Sequence, residues 1–176
     1  MTWYTITHSC THEVPQHVHG DNRSQRDWKA KQLEQQICNA CFARDQKTER
    51  DGANAAALAA ADAAEWPALT GTEKQVPWAA SLRARALALL DVVAEVAAGN
   101  PHHPEGGELV APVREMLLSQ TTAQSWITFR DKNFNAMITA WATPDERGRW
   151  RDQAGIDRFP DSVLRVANNR FFAREQ

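Results

Sequence analysis

A chain of 176 residues with 43% hydrophobic and 24% charged residues, a net charge of −2 and a pI of about 6.3 has room for one medium domain, or for a small module beside a larger one. It carries no apolar run near the length of a bilayer span and no signal-peptide pattern, so the expectation is a cytoplasmic protein with no membrane partner. The near-balance of charge excludes the strongly basic footprint of a dedicated non-specific nucleic-acid binder.

The first element in chain order is a hairpin. Trp3 to Thr7 and Val14 to His19 are β-prone, and Gly20-Asp21-Asn22 ends the second strand. Between the strands lies Cys10-Thr11-His12, with the one-residue spacing of a tight knuckle. Arg23 to Gln36 contains no Gly or Pro and reads as a short helix with a sparse apolar face of Trp28, Ala30, Leu33 and Ile37. Cys38-Asn39-Ala40-Cys41 then precedes a further helix start at Phe42, where a helix N-terminus stabilises thiolates through unpaired N–H groups.

All three cysteines therefore fall, with one histidine, at metal-ligand spacing. Cys10, His12, Cys38 and Cys41 form a four-ligand set for one structural Zn²⁺, closed to water and substrate. Two other readings stand beside it: buried core cysteines, or a disulfide from Cys10 to Cys38 or Cys41 that leaves one thiol over. The odd cysteine count and a reducing compartment favour metal. His8, His17 and His19 lie near enough to substitute for His12, which shares a turn with Cys10. His17 and His19 read as surface histidines on one strand face, and His102 and His103 as solvated loop residues.

Three thiolates, a neutral imidazole and Zn²⁺ sum to one negative charge, so the centre itself does not attract phosphate. Any grip on nucleic acid falls to Arg23, Arg26, Lys29, Lys31, Arg44 and Lys47. Residues 1–50 hold seven Lys/Arg against six Asp/Glu, and a solvated face of mixed sign reads as well as a DNA face. Residues 51–113 hold eight acids and three bases, unsuited to lying along nucleic acid.

The expected organisation is a zinc-binding module at 1–50, an Ala-rich helix or linker at 51–68, and an α-helical domain at 69–176. Low complexity alone does not choose between helix and linker. Thr72-Glu73-Lys74-Gln75 reads as a capping box. It opens a helix near 25 residues long with Val76, Ala79, Leu82, Ala86, Leu89 or Leu90, Val93 and Ala97 inward, and Pro77 kinks that helix or marks its start. Gly99 to Gly107 reads as a loop and Leu109 to Leu118 as a short helix. Thr121 or Thr122 caps one longer helix carrying Trp126, Ile127, Phe134, Met137, Ile138 and Trp141. Asp145 to Arg158 interleaves four arginines with Trp150 and four acids, and Asp161 caps a last helix with Val163, Leu164, Ala167 and Phe171. The fold class is mainly α: a small treble-clef-like hairpin-plus-helix zinc module followed by an α-helical bundle.

Residues 3–42, with Trp3-Tyr-Thr-Ile-Thr7, Cys10-x-His12 and Cys38-x-x-Cys41, resemble the N-terminal zinc-finger module of a group of small bacterial and phage proteins. Leu69-Thr-Gly-Thr-Glu-Lys-Gln75, Trp78-Ala79, Leu82-Arg83 and Thr122-Ala123 with Ser125-Trp126-Ile127 are similar to the helical tail paired with that module. They also resemble Lys-Gln-containing helical repeats at the ends of some topoisomerases and phage replication proteins, from which Pro77 departs. Neither resemblance implies an activity.

No HExxH, phosphate-binding glycine loop, nucleophile elbow or catalytic carboxylate pair is present, so the expectation is a protein that is not an enzyme. The leading expectation is a zinc-stabilised binding protein associated with nucleic acid as a replication or transcription accessory. The alternative is a protein-binding adaptor or inhibitor from a phage or mobile element, acting on a host defence or nucleic-acid-processing protein. Partners are accordingly nucleic acid or a nucleic-acid-processing protein, with homodimerisation through the helical domain as a further expectation.

Overall fold

The computed structural model describes residues 2–99, 109–132, 134–143 and 164–169. The architecture is mainly helical behind one antiparallel hairpin, in the order β1 (Thr2–Thr7), β2 (Glu13–Val18), α1 (Arg23–Glu34), α2 (Asn39–Ala63), α3 (Gln75–Ala98), α4 (Val110–Ser119), α5 (Ala123–Phe129) and α6 (Phe134–Trp141). A further helical segment covers residues 164–169. The chain divides into two compact units, Met1–Gly52 and Ala53–Gln176.

In the first unit β1 and β2 pair from Thr2↔Val18 to Thr7↔Glu13. Strand alternation puts Tyr4, Ile6 and His8 on one side, and Ile6 and Val18 are buried. Helix α1 packs on this hairpin, and the Tyr4 hydroxyl donates to Asp27 Oδ1 at 2.7 Å. Asn22 begins α1 as an N-cap, its side-chain oxygen accepting from the Gln25 amide at 2.9 Å. The expected apolar face is corrected here. Only Ala30 is buried and Leu33 half-buried, whereas Trp28 is 61% and Ile37 40% exposed. The inward row is Arg26, Ala30 and Leu33 at i, i+4 and i+7, which turns Trp28 outward.

The Ala-rich stretch is helical. Helix α2 runs unbroken through Gly52 to Ala63, because a run of alanines outweighs the roughly 1 kcal/mol cost of one interior glycine. Glu65 then takes a positive φ of 52° and its amide donates to the Asp62 carbonyl, ending the helix.

In the second unit the capping box forms as its sequence dictates. The Gln75 amide donates to Thr72 Oγ1 and the Thr72 amide to Gln75 Oε1, both at 3.2 Å. Pro77 sits in the first turn of α3, where a missing N–H costs no intrahelical bond. Helix α3 is the spine of the core, burying Ala79, Leu87, Leu90, Val93 and Ala97 against α4 and α5. Its second inward row contains Arg83, 2% exposed, which donates to the Pro67 carbonyl at 2.7 Å and lies over the Trp66 ring.

The single longer helix expected after Thr122 is two. Its six apolar positions fit within about 120° of one continuous helix, so periodicity alone cannot reveal the break. Asp131 and Asn133 are poor helix formers, and a 3.0 Å bond from the Lys132 amide to the Phe129 carbonyl closes a turn between α5 and α6. Trp126 and Trp141 still meet edge-on across it, 4.8 Å apart. Thr122 holds the N-cap position of α5 without a side-chain cap bond. Its neighbourhood is instead fixed by a bridge to Thr70: the Thr70 amide donates to the Thr121 carbonyl at 2.7 Å, and the Ala123 amide to the Thr70 carbonyl at 2.9 Å. Leu164 and Ala167 of the last segment are buried in this core. The expected loop from Gly99 to Gly107 beyond its first residue, the charged stretch Asp145 to Arg158, and Asp161, Val163 and Phe171 lie outside the described residues.

Candidate metal centre

The cluster is assembled from two short-range structures. The first is the turn between β1 and β2. The Thr11 amide donates to the His8 carbonyl at 2.8 Å and the His8 amide to the His12 carbonyl at 3.0 Å, with Thr11 left-handed at φ 66°. Folding back in this way puts Cys10 and His12 on either side of Thr11. The second is the N-terminus of α2. Cys38 immediately precedes that helix and Cys41 lies in its first turn, so backbone N–H groups without helical partners face the sulfurs. The Cys38 amide donates to Cys10 Sγ at 3.3 Å and the Cys41 amide to Cys38 Sγ at 3.5 Å.

His8 ties the two parts together. It is 7% exposed, and its Nδ1 lies 3.1 Å from the Gln36 carbonyl, which also accepts the Ser9 amide at 3.1 Å. A carbonyl only accepts, so His8 carries its proton on Nδ1. It positions the knuckle and is not a ligand. Nothing in the sequence distinguishes it from the other histidines, because its partner lies 28 residues away.

The ligand atoms of Cys10, His12, Cys38 and Cys41 all lie within 4.8 Å of one another. His12 Nδ1 is 3.2 Å from Cys41 Sγ and 3.8 Å from Cys38 Sγ. A tetrahedral ion with bonds of about 2.0–2.3 Å requires ligand separations of roughly 3.3–3.8 Å, so the four donors are close enough to hold one metal ion, with the widest separation, up to 4.8 Å, closing by about 1 Å. The cysteines are not disulfide-bonded.

The thiols differ in electrostatic setting. The Cys38 amide, followed by the His12 amide, lowers the Cys10 thiol to about 6. Burial, then the neighbouring Cys38 and Cys10 thiols, pushes Cys41 up to about 11. A protein frame without a cation thus accommodates one thiolate and resists the next. A divalent cation removes that conflict by neutralising the charge that the sulfurs share.

Five of the six candidate nucleic-acid contacts already hold a partner within the unit. Arg23 pairs with Asp27 at 3.6 Å, Arg44 with Asp45 at 2.9 Å and Lys47 with Asp51 at 2.8 Å. Lys29 Nζ donates to the His19 carbonyl at 2.9 Å. Arg26 is half-buried, donates to the Gly20 carbonyl at 2.9 Å and leaves its buried Nε without a hydrogen bond among the described residues. A Cβ on Gly20 would meet Arg26 Cγ at 2.9 Å, so glycine is what admits this side chain. Lys31 is exposed with no partner among the described residues. What the residue types alone did not indicate is the exposure of two indoles on this unit, Trp28 and, at 70%, Trp3.

Among the described residues no helix is long and apolar enough to cross a membrane. No family profile matches the chain, and neither a curated protein nor a solved structure matches it.

Proposed function

We propose that the chain is a non-enzymatic binding protein whose N-terminal unit is held by one structural Zn²⁺ and which acts in association with nucleic acid, as an accessory to replication or transcription. The observation that carries the zinc assignment is the convergence of three sulfurs and one imidazole nitrogen, all within 4.8 Å. Sulfur-rich tetrahedral sets select Zn²⁺ over the harder Mg²⁺ and Ca²⁺, and four protein ligands leave no position for a reacting water. The metal's contribution is therefore to folding.

Support for nucleic acid comes from the exposed indoles of Trp3 and Trp28, the second of which lines a cavity together with Lys29, a combination suited to stacking on unpaired bases. The exposed ion pairs of Arg23, Arg44 and Lys47 are each worth about 0–1 kcal/mol and can be exchanged for phosphate. The second reading, a protein-binding adaptor or inhibitor, is favoured by the same pairs. A surface whose cations already have carboxylate partners is less suited to a polyanion than to a mixed protein face.

The test is binding of the zinc-loaded chain to single-stranded and duplex oligonucleotides across a salt series. Under the first reading, affinity falls steeply with salt, and Trp28→Ala and the pair Arg23→Glu/Lys31→Glu weaken single-strand binding at least about tenfold. Arg26 is left intact, because its reversal would damage the hairpin. An absence of binding at low salt would sink the nucleic-acid reading and turn the search to protein partners.

A further inference from the structure

We propose that His17 and His19 form a second metal-chelating site, separate from the four-ligand cluster, that takes a first-row divalent cation such as Ni²⁺, Cu²⁺ or Zn²⁺ on two imidazole nitrogens. Residue 17 lies in β2 and residue 19 just beyond it, and positions two apart along extended chain share a side. His17 Nδ1 and His19 Nε2 are 3.3 Å apart, with ring centroids at 4.6 Å and planes at 88°.

That separation has a direct geometric meaning. With metal–nitrogen bonds of about 2.0–2.1 Å, two nitrogens 3.3 Å apart subtend roughly 104–111° at a shared ion, close to the tetrahedral angle. The nitrogens already stand at the separation two ligands of one ion require, and a turn of each ring by roughly 35° would aim both lone pairs at the ion instead of at one another. The His17 ring and the His19 backbone are also restrained. The indole of Trp3 lies against His17 at 5.4 Å, and Lys29 Nζ fastens the His19 carbonyl at 2.9 Å.

A cavity of about 450 Å³ adjoins the pair, lined by His17, Val18, His19, Trp28, Lys29 and Leu33 among others, and it gives an ion and its remaining ligands room to enter. Two protein nitrogens leave two or more coordination positions open. The Lys29 ammonium beside the site favours water or an anionic oxygen ligand in those positions. Such a site exchanges its ion, in contrast to a closed four-ligand set, and imidazole donors suit nickel, copper and zinc rather than magnesium or calcium.

The experiment is equilibrium dialysis of the full-length, zinc-loaded chain against Ni²⁺, with zinc and nickel content both measured by mass spectrometry. The expected result is one nickel per chain with the original zinc retained. His17→Gln and His19→Gln should each lower nickel affinity at least about tenfold while keeping the zinc content and far-UV circular dichroism of the parent. The double substitution His102→Gln/His103→Gln should leave nickel binding unchanged, which separates this site from the other adjacent histidine pair. Nickel uptake only at the expense of zinc, uptake indifferent to residues 17 and 19, uptake lost with residues 102 and 103, or no uptake would overturn the proposal.

Discussion

Removing the metal, by chelation or by Cys38→Ser, should unfold the N-terminal unit and leave the helical unit standing. Up to Gly52 the buried hydrophobic residues among those described are Ile6, Val18, Ala30, Cys38 and Cys41, and two of these are ligands. Only Ile6 and Val18 are large, contributing about 1.5–3 kcal/mol each. Zinc binding in comparable small modules supplies on the order of 10–16 kcal/mol at neutral pH, more than those two side chains together and comparable with the whole net stability of a domain. The assay is amide hydrogen exchange read by mass spectrometry. In the loaded protein, an opening that costs about 5 kcal/mol slows exchange in β1 and β2 roughly 5,000-fold, and chelation should bring that factor close to one. Amides of α3 and α4, whose Leu87, Leu90, Val93, Val113 and Leu117 belong to the second unit's core, should keep their protection. Slow exchange surviving in the hairpin after complete metal loss would refute the reasoning. So would loss of protection in α3 in step with the hairpin.

Acid should release the metal. In the unfolded, metal-free chain the three thiols return to ordinary values near 8.5, so that state holds more protons than the metal-bound fold and stability rises with pH. Apparent zinc affinity, measured with a competing chelator, should fall by up to about a thousandfold per unit between pH 7.5 and 6.5. Thr72→Ala removes one half of the capping box and should cost the helical unit about 1 kcal/mol, seen as a Tm lower by roughly 3–6 °C. The combined Thr72→Ala/Gln75→Ala change should cost less than the sum of the single ones, because the two hydrogen bonds are reciprocal. Arg83→Ala should destabilise by about 2–4 kcal/mol in urea titrations through cavity formation and loss of the Pro67 contact. Arg83→Met should be better tolerated by at least about 1 kcal/mol, since it fills the space without a buried charge.

The parts of this molecule readable from sequence are those settled within a few residues. The spacing of Cys10 to His12 and of Cys38 to Cys41 fits a turn and a first helical turn, and the Thr72 to Gln75 box fits a helix start. What escapes reading depends on partners far along the chain. Arg83 sits in a Leu-Arg-Ala-Arg stretch that resembles a solvated face, and its burial follows from Trp66 and Pro67 lying over it. The role of His8 depends on a carbonyl presented by the segment after α1. Trp28 shows the converse failure: an aromatic residue counts as apolar in any periodic pattern, yet only the packing of α1 on the hairpin decides which side of the helix is covered.

The uneven exposure of the indoles makes the chain report optically on its own halves. Trp3 and Trp28 stand in water, whereas Trp126 is 2% exposed and spends its N–H on the Gln120 carbonyl at 2.9 Å. A dissolved collisional quencher such as iodide therefore reaches the emission of the first unit and spares that of Trp126. With Trp66, Trp78, Trp141 and Trp150 of the second unit replaced by phenylalanine, events at the hairpin and events around Trp126 can be told apart in one spectrum, with no dye attached.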